Sequence, residues 1–332
     1  MPFTKEFKEF FLDISVIILN WNTKDLLRNC LASLSCPETE FQLEVIVVDN
    51  SSEDGSREMV REEFPEAILI VNPTNIGFGA GNNVAVPRAK GRYLLFLNSD
   101  TSVMAGALLK MLRYADSNPT IGILGPKLLN GDGSLQFSCR RYPQIAMAFF
   151  RNTFLGKLFP KNPFTNDYLM QDWDHSTPLD VDWVSGAALM IRRTLVDQIG
   201  CFDEDFYMYC EDVDLCWRAN HAPFSAAPPT NVNFGTVSSP QSNWRVSYLP
   251  EAVIYHLIGK SSDQAPTRMS YEFHRSQYLF YKKHYSKSTP LALRPLIPAG
   301  IALRAAGQMA RYRANYWIRR LTGAEKPKSK GK

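Results

Sequence analysis

Four places in this 332-residue chain put acid or imidazole groups where they could do chemistry. The apolar run Tyr93-Leu94-Leu95-Phe96-Leu97 stops on Asn98-Ser99-Asp100, and Leu43 to Val48 stops on Asp49-Asn50-Ser51-Ser52. Between Asp203 and Asp214 there are six carboxylates in twelve residues, ending Glu211-Asp212-Val213-Asp214, with Tyr207, Tyr209 and Trp217 among or beside them. Ala252 to Tyr255 leads into His256. A carboxylate and a histidine at neighbouring strand ends suit Mg²⁺ or Mn²⁺, cations that bridge diphosphate oxygens. An acid at an earlier strand end can accept from a base N–H or a ribose hydroxyl. A further carboxylate across the pocket can take a proton from an attacking hydroxyl while the cation stabilises a departing diphosphate. Such a set describes group transfer from a nucleotide-activated donor.

Each group also has a plain structural explanation. Asp100 would cap a helix over residues 105–114. Glu211, Asp212 and Asp214 would occupy the first turn of a helix, where the positive dipole end favours acids. A lone histidine at a strand end is by default a satisfied structural one. The balance shifts because Asp49, Asp100 and His256 end three separate strands, and ligands of open parallel sheets bind beyond the carboxyl ends of strands.

The elements that would position these groups follow from the apolar pattern. Tyr93 to Leu97 lacks period-2 alternation, which predicts a strand buried on both faces. Strands over 14–19, 43–48 and 67–71 alternate with helices over 23–34, opened by a Thr23 cap, and 54–64. The α/β alternation predicts a mostly parallel sheet with right-handed crossovers and helices on both faces. The Gly/Asn-rich loop from Asn72 to Asn83 fits a dinucleotide fingerprint poorly, but its backbone N–H groups can approach an anionic or sugar ligand closely. Further on, a strand over 121–124, a hairpin over 127–137, a strand over 184–192 and another over 244–249 are expected. Residues 140–180 read as a long functional flap, and 222–243 as an exposed excursion. An aromatic helix over 266–285 should pack on the body, with His274 and His284 as packing or surface residues.

Composition sets the class. With 45% apolar residues the chain is globular and long enough for one large domain with an appendage, or for two domains. Six cysteines without a CxxC pair, and a start that alternates charge with Phe, point to a reducing cytoplasm. The net charge of +4 hides an asymmetry: residues 287–332 hold eleven Lys/Arg against Glu325 alone, a net +10, which leaves residues 1–286 at −6. A negative body with a positive tail argues against a nucleic-acid binder and for a tail that touches an anionic membrane surface. The nine apolar residues between Arg294 and Arg304 are too few to span a bilayer. A helix over 301–318 would lie in the interface instead.

Eight motifs in order resemble inverting glycosyltransferases of family 2 with the GT-A fold, in the rhamnosyltransferase-like branch. They are Val16 to Asn22, Val47 to Ser52 with Asp54-Gly55-Ser56, Asn75 to Asn83, Phe96 to Asp100, Ser185-Gly186-Ala187, Gly200 to Phe206, Glu211 to Arg218 and His256-x-x-Gly259-x-Ser261. The resemblance implies a leader over 1–12, a GT-A domain over 13–262 and a C-terminal helical, basic extension over 263–332 with a disordered end. It implies donor contacts from Asn20, Asn22, Asp49, Asn75, Gly77, Gly79, Asn82, Asn98 and Gly186, with Asp49 on the base or ribose. It places Mg²⁺ or Mn²⁺ on Asp100 and His256, and the catalytic base at Asp212, with Glu211 or Asp214 as alternatives. Asn98 stands where a strict DxD element has its first Asp, so that element supplies one carboxylate. The implied partners are a nucleotide-diphosphate sugar, with dTDP-rhamnose favoured, and a glycan or lipid-linked acceptor at the inner membrane face. A fold that binds a sugar nucleotide or glycan without turnover is the competing expectation.

Overall fold

The computed structural model describes residues 12–35, 40–143, 158–159, 162–224, 243–257 and 266–322. Its first half is the predicted alternation: β1 (Leu12–Asn20), α1 (Lys24–Leu34), β2 (Leu43–Asp49), α2 (Ser56–Glu63), β3 (Ile68–Val71), α3 (Phe78–Asn83) and β4 (Gly91–Asn98). Strands β3, β2, β1 and β4 pair parallel in that spatial order.

The physical basis is visible along single strands. In β1, Ile14, Val16 and Ile18 enter one hydrophobic core while Ile17 enters the other; in β4, Tyr93, Leu95 and Leu97 face the first core, and Leu94 and Phe96 the second. Burial on both faces removes any need for polar alternation. The first core is covered by Leu27, Cys30 and Leu31 of α1 and by Leu108, Met111 and Leu112 of α4 (Ala107–Ser117). The second is covered by α6 (Arg193–Ile199) and α7 (Glu211–His221) through Leu195, Val196, Leu215 and Cys216.

The second half leaves the parallel pattern. The strands here are β5 (Thr101–Val103), β6 (Ile121–Leu129), β7 (Leu135–Gln136), β8 (Cys139–Arg140), β9 (Leu179–Asp180), β10 (Trp183–Val184), β11 (Ala188–Arg192) and β12 (Arg245–His256), with α5 (Pro163–Leu169) between β8 and β9. Strand β11 inserts antiparallel between β4 and β6, β12 runs parallel to β6, and β5 pairs antiparallel with the end of β12. The expected strand over 184–192 is therefore two strands, interrupted at Ser185-Gly186-Ala187. The expected strand over 244–249 instead continues through Pro250 to His256, with register shifts that accommodate the proline.

Within the expected flap, α5 is capped by the Asn162 side chain accepting from the Thr165 N–H, with Pro163 at its start, and β9 joins β12. Residues 144–157 and 160–161 of that flap, 225–242 of the excursion, the Gly259 and Ser261 positions, and the two chain ends at 1–11 and 323–332 lie outside the described residues. The C-terminal part is helical: α8 (Pro266–Phe280), a π turn at Tyr281–Tyr285, and α9 (Leu296–Thr322). Among the described residues no helix is long and apolar enough to cross a membrane.

Candidate active site

A cleft of ≈ 330 Å³ opens at the carboxyl ends of β1, β4 and β12, of a size suited to a small-molecule ligand. One wall holds Leu19, Trp21, Asn50, Asn75 and Gly77, the floor Asn98, Ser99, Asp100 and His256, and the opposite wall Ser185, Gly186, Tyr207, Tyr209, Glu211 and Asp212. Sheet topology brings the floor together. Beyond Asn98 the chain turns through Ser99 and Asp100 and becomes β5, whose Thr101 is the register partner of His256. The Leu257 N–H also donates to the Asp100 carbonyl at 2.9 Å. Asp100 therefore caps no helix: β5 intervenes, and α4 opens at Gly106 in the left-handed region (φ 76°).

On the floor, Asp100 Oδ1 lies 3.3 Å from His256 Nε2, and Asn98 Nδ2 lies 3.3 Å from the same nitrogen. Two cis ligands of an octahedral ion at about 2.1 Å are about 3 Å apart, so the oxygen and nitrogen fit a shared divalent cation. Among the described residues no cluster of three or more metal-ligating side chains occurs. One or two protein groups plus substrate phosphates is an ordinary arrangement for Mg²⁺ at nucleotide sites.

The opposite wall is built differently. Tyr209 (φ 70°) and Cys210 (φ 66°) are both left-handed, a conformation costly for residues with a Cβ and concentrated at functional sites. The pair turns the chain into α7 so that Glu211 and Asp212 face the cleft. Asp212 Oδ2 accepts from the Gly186 N–H at 2.9 Å and Oδ1 from the Val213 N–H at 2.8 Å. The break between β10 and β11 is what frees the Gly186 N–H for this bond. Burial raises the Asp212 carboxyl pKa against the lowering effect of those N–H donors. Burial raises Glu211 further, with the neighbouring Asp212 charge adding to it, and Glu211 Oε2 is buried without a hydrogen-bond partner. A carboxylate with a raised pKa at a cleft wall is suited to accept a proton.

Asp214, the alternative base, is elsewhere. It is 1% exposed and accepts from Arg218 Nε at 2.8 Å and from His284 Nε2 at 2.7 Å. Burial pushes its pKa up, but the His284 and Arg218 contacts outweigh burial and hold it below the ordinary value. Arg218 also donates to the Ile199 and Cys201 carbonyls, tying α7 to the loop ahead of the cleft wall.

The implied donor residues divide in two. Asn75, Gly77, Asn98 and Gly186 line the cleft, whereas Asn20, Asn22, Asp49, Gly79 and Asn82 do not. Gly77 (φ 95°) passes so close to the opposite wall that a Cβ there would sit 2.4 Å from the Tyr207 carbonyl oxygen. Asn75 Oδ1 accepts from the Gly77 N–H, the Tyr207 hydroxyl and Asn50 Nδ2, bridging both walls. Asp49 is buried, with the Arg57 guanidinium at 2.6 Å and the Ser52 N–H at 2.9 Å. Burial raises its carboxyl, but the Ser52 and Arg57 hydrogen bonds prevail and lower the pKa. Asn20 donates to Asp49 and Ser52, Asn22 accepts from the Glu53 N–H, Gly79 makes room for Phe202, and Asn82 donates to the Phe78 carbonyl. Thr23 sits at the start of α1 without capping it through its side chain; its hydroxyl bonds Asn20 and Ser99 instead. Sequence reasoning passed over Trp21, Asn50, Tyr207 and Met269 as cleft residues. For Asn50 a signal existed, since it follows a strand end; for Met269, on a helix far downstream of β4, there was none.

Residues 15–175 match glycosyl transferase family 2. The chain is 27% identical over 303 residues to N-acetylglucosaminyl-diphospho-decaprenol L-rhamnosyltransferase of Mycobacterium tuberculosis, a match covering 88% of this chain and 91% of the relative. It is 25% identical over 217 residues to rhamnosyltransferase WbbL of Escherichia coli, covering 63% of this chain and 77% of the relative. In fold it is similar to mannosyltransferase PcManGT from Pyrobaculum calidifontis, solved with GDP-Man and Mn²⁺, at a TM-score of 0.52, 18% identity, and coverage of 95% and 76%. Residues 15–175 thus match a family 2 glycosyltransferase domain, the chain is similar in sequence to rhamnosyltransferases, and its fold is the GT-A fold.

Proposed function

We propose that the protein is an inverting rhamnosyltransferase that moves L-rhamnose from dTDP-rhamnose to a hydroxyl of a lipid-linked glycan precursor. The observation that carries this reading is the single cleft with Asp100 and His256 on its floor and Asp212 on its wall. The relative named for rhamnosyl transfer to a diphospho-decaprenol-linked sugar aligns over most of both chains and supports the donor and acceptor class.

Asp212 takes the proton from the acceptor hydroxyl as that oxygen bonds to the anomeric carbon. The bond from that carbon to the diphosphate oxygen breaks on the opposite face, and its electron pair leaves with the diphosphate. Hydrogen bonds from Gly186 and Val213 fix the carboxylate's orientation, and burial keeps it basic. Asp100 and His256 would hold Mg²⁺ or Mn²⁺, which neutralises charge developing on the departing diphosphate. Asn75, Gly77 and Asn98 line the donor side. The basic end of the chain keeps the enzyme on the inner membrane surface beside its acceptor.

The test pairs thermal stabilisation by dTDP-, UDP- and GDP-sugars with a transfer assay on N-acetylglucosaminyl-diphospho-polyprenol. Selective stabilisation by dTDP-rhamnose and a rhamnosylated product of inverted anomeric configuration are expected. Stabilisation without product would favour a binding protein, and preference for another sugar would overturn the donor. Removing residues 290–332 should leave turnover and lower recovery with membranes; unchanged recovery would sink the membrane role.

A further inference from the structure

The metal reading leaves one question of chemistry open: which imidazole nitrogen of His256 carries the proton. The answer lies outside the cleft, on the hairpin strand β7. His256 Nδ1 is 2.7 Å from Gln136 Oε1. The amide at the other end of the Gln136 head group donates from Nε2 to Asn130 Oδ1 at 3.0 Å and to the His256 backbone carbonyl at 3.3 Å. A backbone carbonyl can only accept, so the Gln136 group facing it must be the NH₂. The group facing Nδ1 is then the amide oxygen, which also can only accept. It follows that Nδ1 holds a hydrogen, so that in the neutral ring, the form that can ligate a metal, Nε2 presents a lone pair. That lone pair meets Asp100 and the Asn98 amide. Asn130 is held in turn through its own NH₂, which donates to Ser134 Oγ, while the Asn130 N–H donates to the Ser134 carbonyl across the hairpin turn.

We infer that Gln136 is a positioning residue for the metal site: it locks His256 in the Nδ1–H tautomer and aims Nε2 at the cation position. The inference rests on the proposal that Asp100 and His256 hold the metal, although the tautomer itself does not depend on it. A histidine that ligates through one nitrogen ordinarily donates from the other to a carbonyl or carboxylate, and loss of that partner typically costs 10–100-fold in metal affinity. Here the partner lies 120 residues before the ligand. The hairpin over 130–136 thereby becomes part of the site although it does not line the cleft.

Two variants of the full-length protein separate the possibilities. Gln136→Leu removes both donor and acceptor; Gln136→Glu restores the acceptor facing Nδ1 and gives up the NH₂. Two readouts apply: the Kd for Mn²⁺ alone, followed by electron paramagnetic resonance, and the tautomer of His256, from long-range ¹H–¹⁵N correlations in the metal-free protein. His256 of the wild type is expected as Nδ1–H. Gln136→Leu should weaken Mn²⁺ binding 10–100-fold, and Gln136→Glu should restore it to within about threefold of wild type. Melting temperatures show whether either variant has lost its fold. Wild-type His256 found as Nε2–H, or a folded Gln136→Leu that binds Mn²⁺ as the wild type does, would overturn the inference. If Gln136→Leu unfolds, Gln136→Glu carries the test, and failure of folded Gln136→Glu to hold Mn²⁺ overturns it. If His256→Ala binds Mn²⁺ as tightly as wild type, the metal reading fails; the tautomer measurement still decides whether Gln136 sets the ring.

Discussion

The two sides of the cleft are held by different kinds of bonding. The floor is made by the sheet: Asn98 ends β4 against β11, and β5, which follows Asp100 directly, pairs with the end of β12 at His256, so backbone pairing places all three. The Glu211–Asp212 wall is made by a loop with two left-handed non-glycine residues, and it is pinned from outside by the C-terminal part of the chain. Ser276 of α8 donates to the Met208 carbonyl, Arg275 to the Asp205 carbonyl, Lys283 pairs with Asp203 and Asp205, and His284 bonds Asp214. Arg268 lies over the Tyr207 ring at 4.4 Å. Backbone ladders position groups with little dependence on distant side chains, whereas a pinned loop can be disturbed far from the reacting atoms. Substitutions should therefore separate the two sides.

The largest effect falls on the wall itself. Asp212→Asn should lower kcat by about 10²–10⁴-fold while the Kd for the nucleotide stays put. A variant that turns over normally would remove Asp212 from its role, and one that also loses nucleotide would show that the two sides are coupled. Next comes the buried network behind the wall. Asp214→Ala strands Arg218 and His284 and should cost about 3–5 kcal/mol in urea unfolding. Asp100→Asn, on the floor, should change stability by less than about 1 kcal/mol, because the ladder there is backbone. Equal losses would erase the contrast. Ser276→Ala leaves the half-buried Met208 carbonyl without its donor and should cost about 1 kcal/mol. Its kinetic trace should be a raised acceptor KM with donor affinity unaltered; a shift in donor affinity instead would mean that α8 acts on the floor.

The smallest effect is in pH. Asp49 and Asp214 have pKa values below the ordinary 3.8, so each contributes stability that is present above that value and is lost as pH falls through the lower folded one. Glu211 and Asp212 are shifted the other way: their burial costs stability once pH exceeds the ordinary carboxylate range, and protonation relieves it. Turnover should accordingly rise with pH through the raised Asp212 value, a limb that Asp212→Asn abolishes. Acid unfolding monitored in wild type and Asp214→Ala should show a shallower loss in the variant below pH 4. An identical profile would assign the acid sensitivity to other groups.

How much of this could be read beforehand follows the same division. Tyr93 to Leu97 and Leu43 to Val48 announced buried strands because both faces are covered, and strand ends are where such sheets bind ligands. Asp100 and His256, some 150 residues apart, could therefore be placed at one end of one sheet. The wall was legible as chemistry but not as geometry. Nothing in the order Glu211-Asp212-Val213-Asp214 says that the last carboxylate turns inward to Arg218 and His284 while the middle one meets the Gly186 N–H. Nor does Asp49 reveal in sequence that Arg57 folds back onto it. These are side-chain partnerships made by tertiary contact, which local pattern does not encode. The interruption at Ser185-Gly186-Ala187 was hidden for a related reason: Val184 and Ala188 to Arg192 are apolar enough to read as one strand.

The pins on the wall also bear on the order in which the molecule can be completed. A chain emerging from the ribosome folds from its N-terminus, and strands β1 to β12 with the floor of the cleft are all synthesised by residue 256. Met269, Ser276, Lys283 and His284, which line or brace the wall, come afterwards. A nascent chain can thus hold the floor formed while the loop bearing Asp212 still lacks its braces. The side of the cleft that carries Asp212 is assembled last.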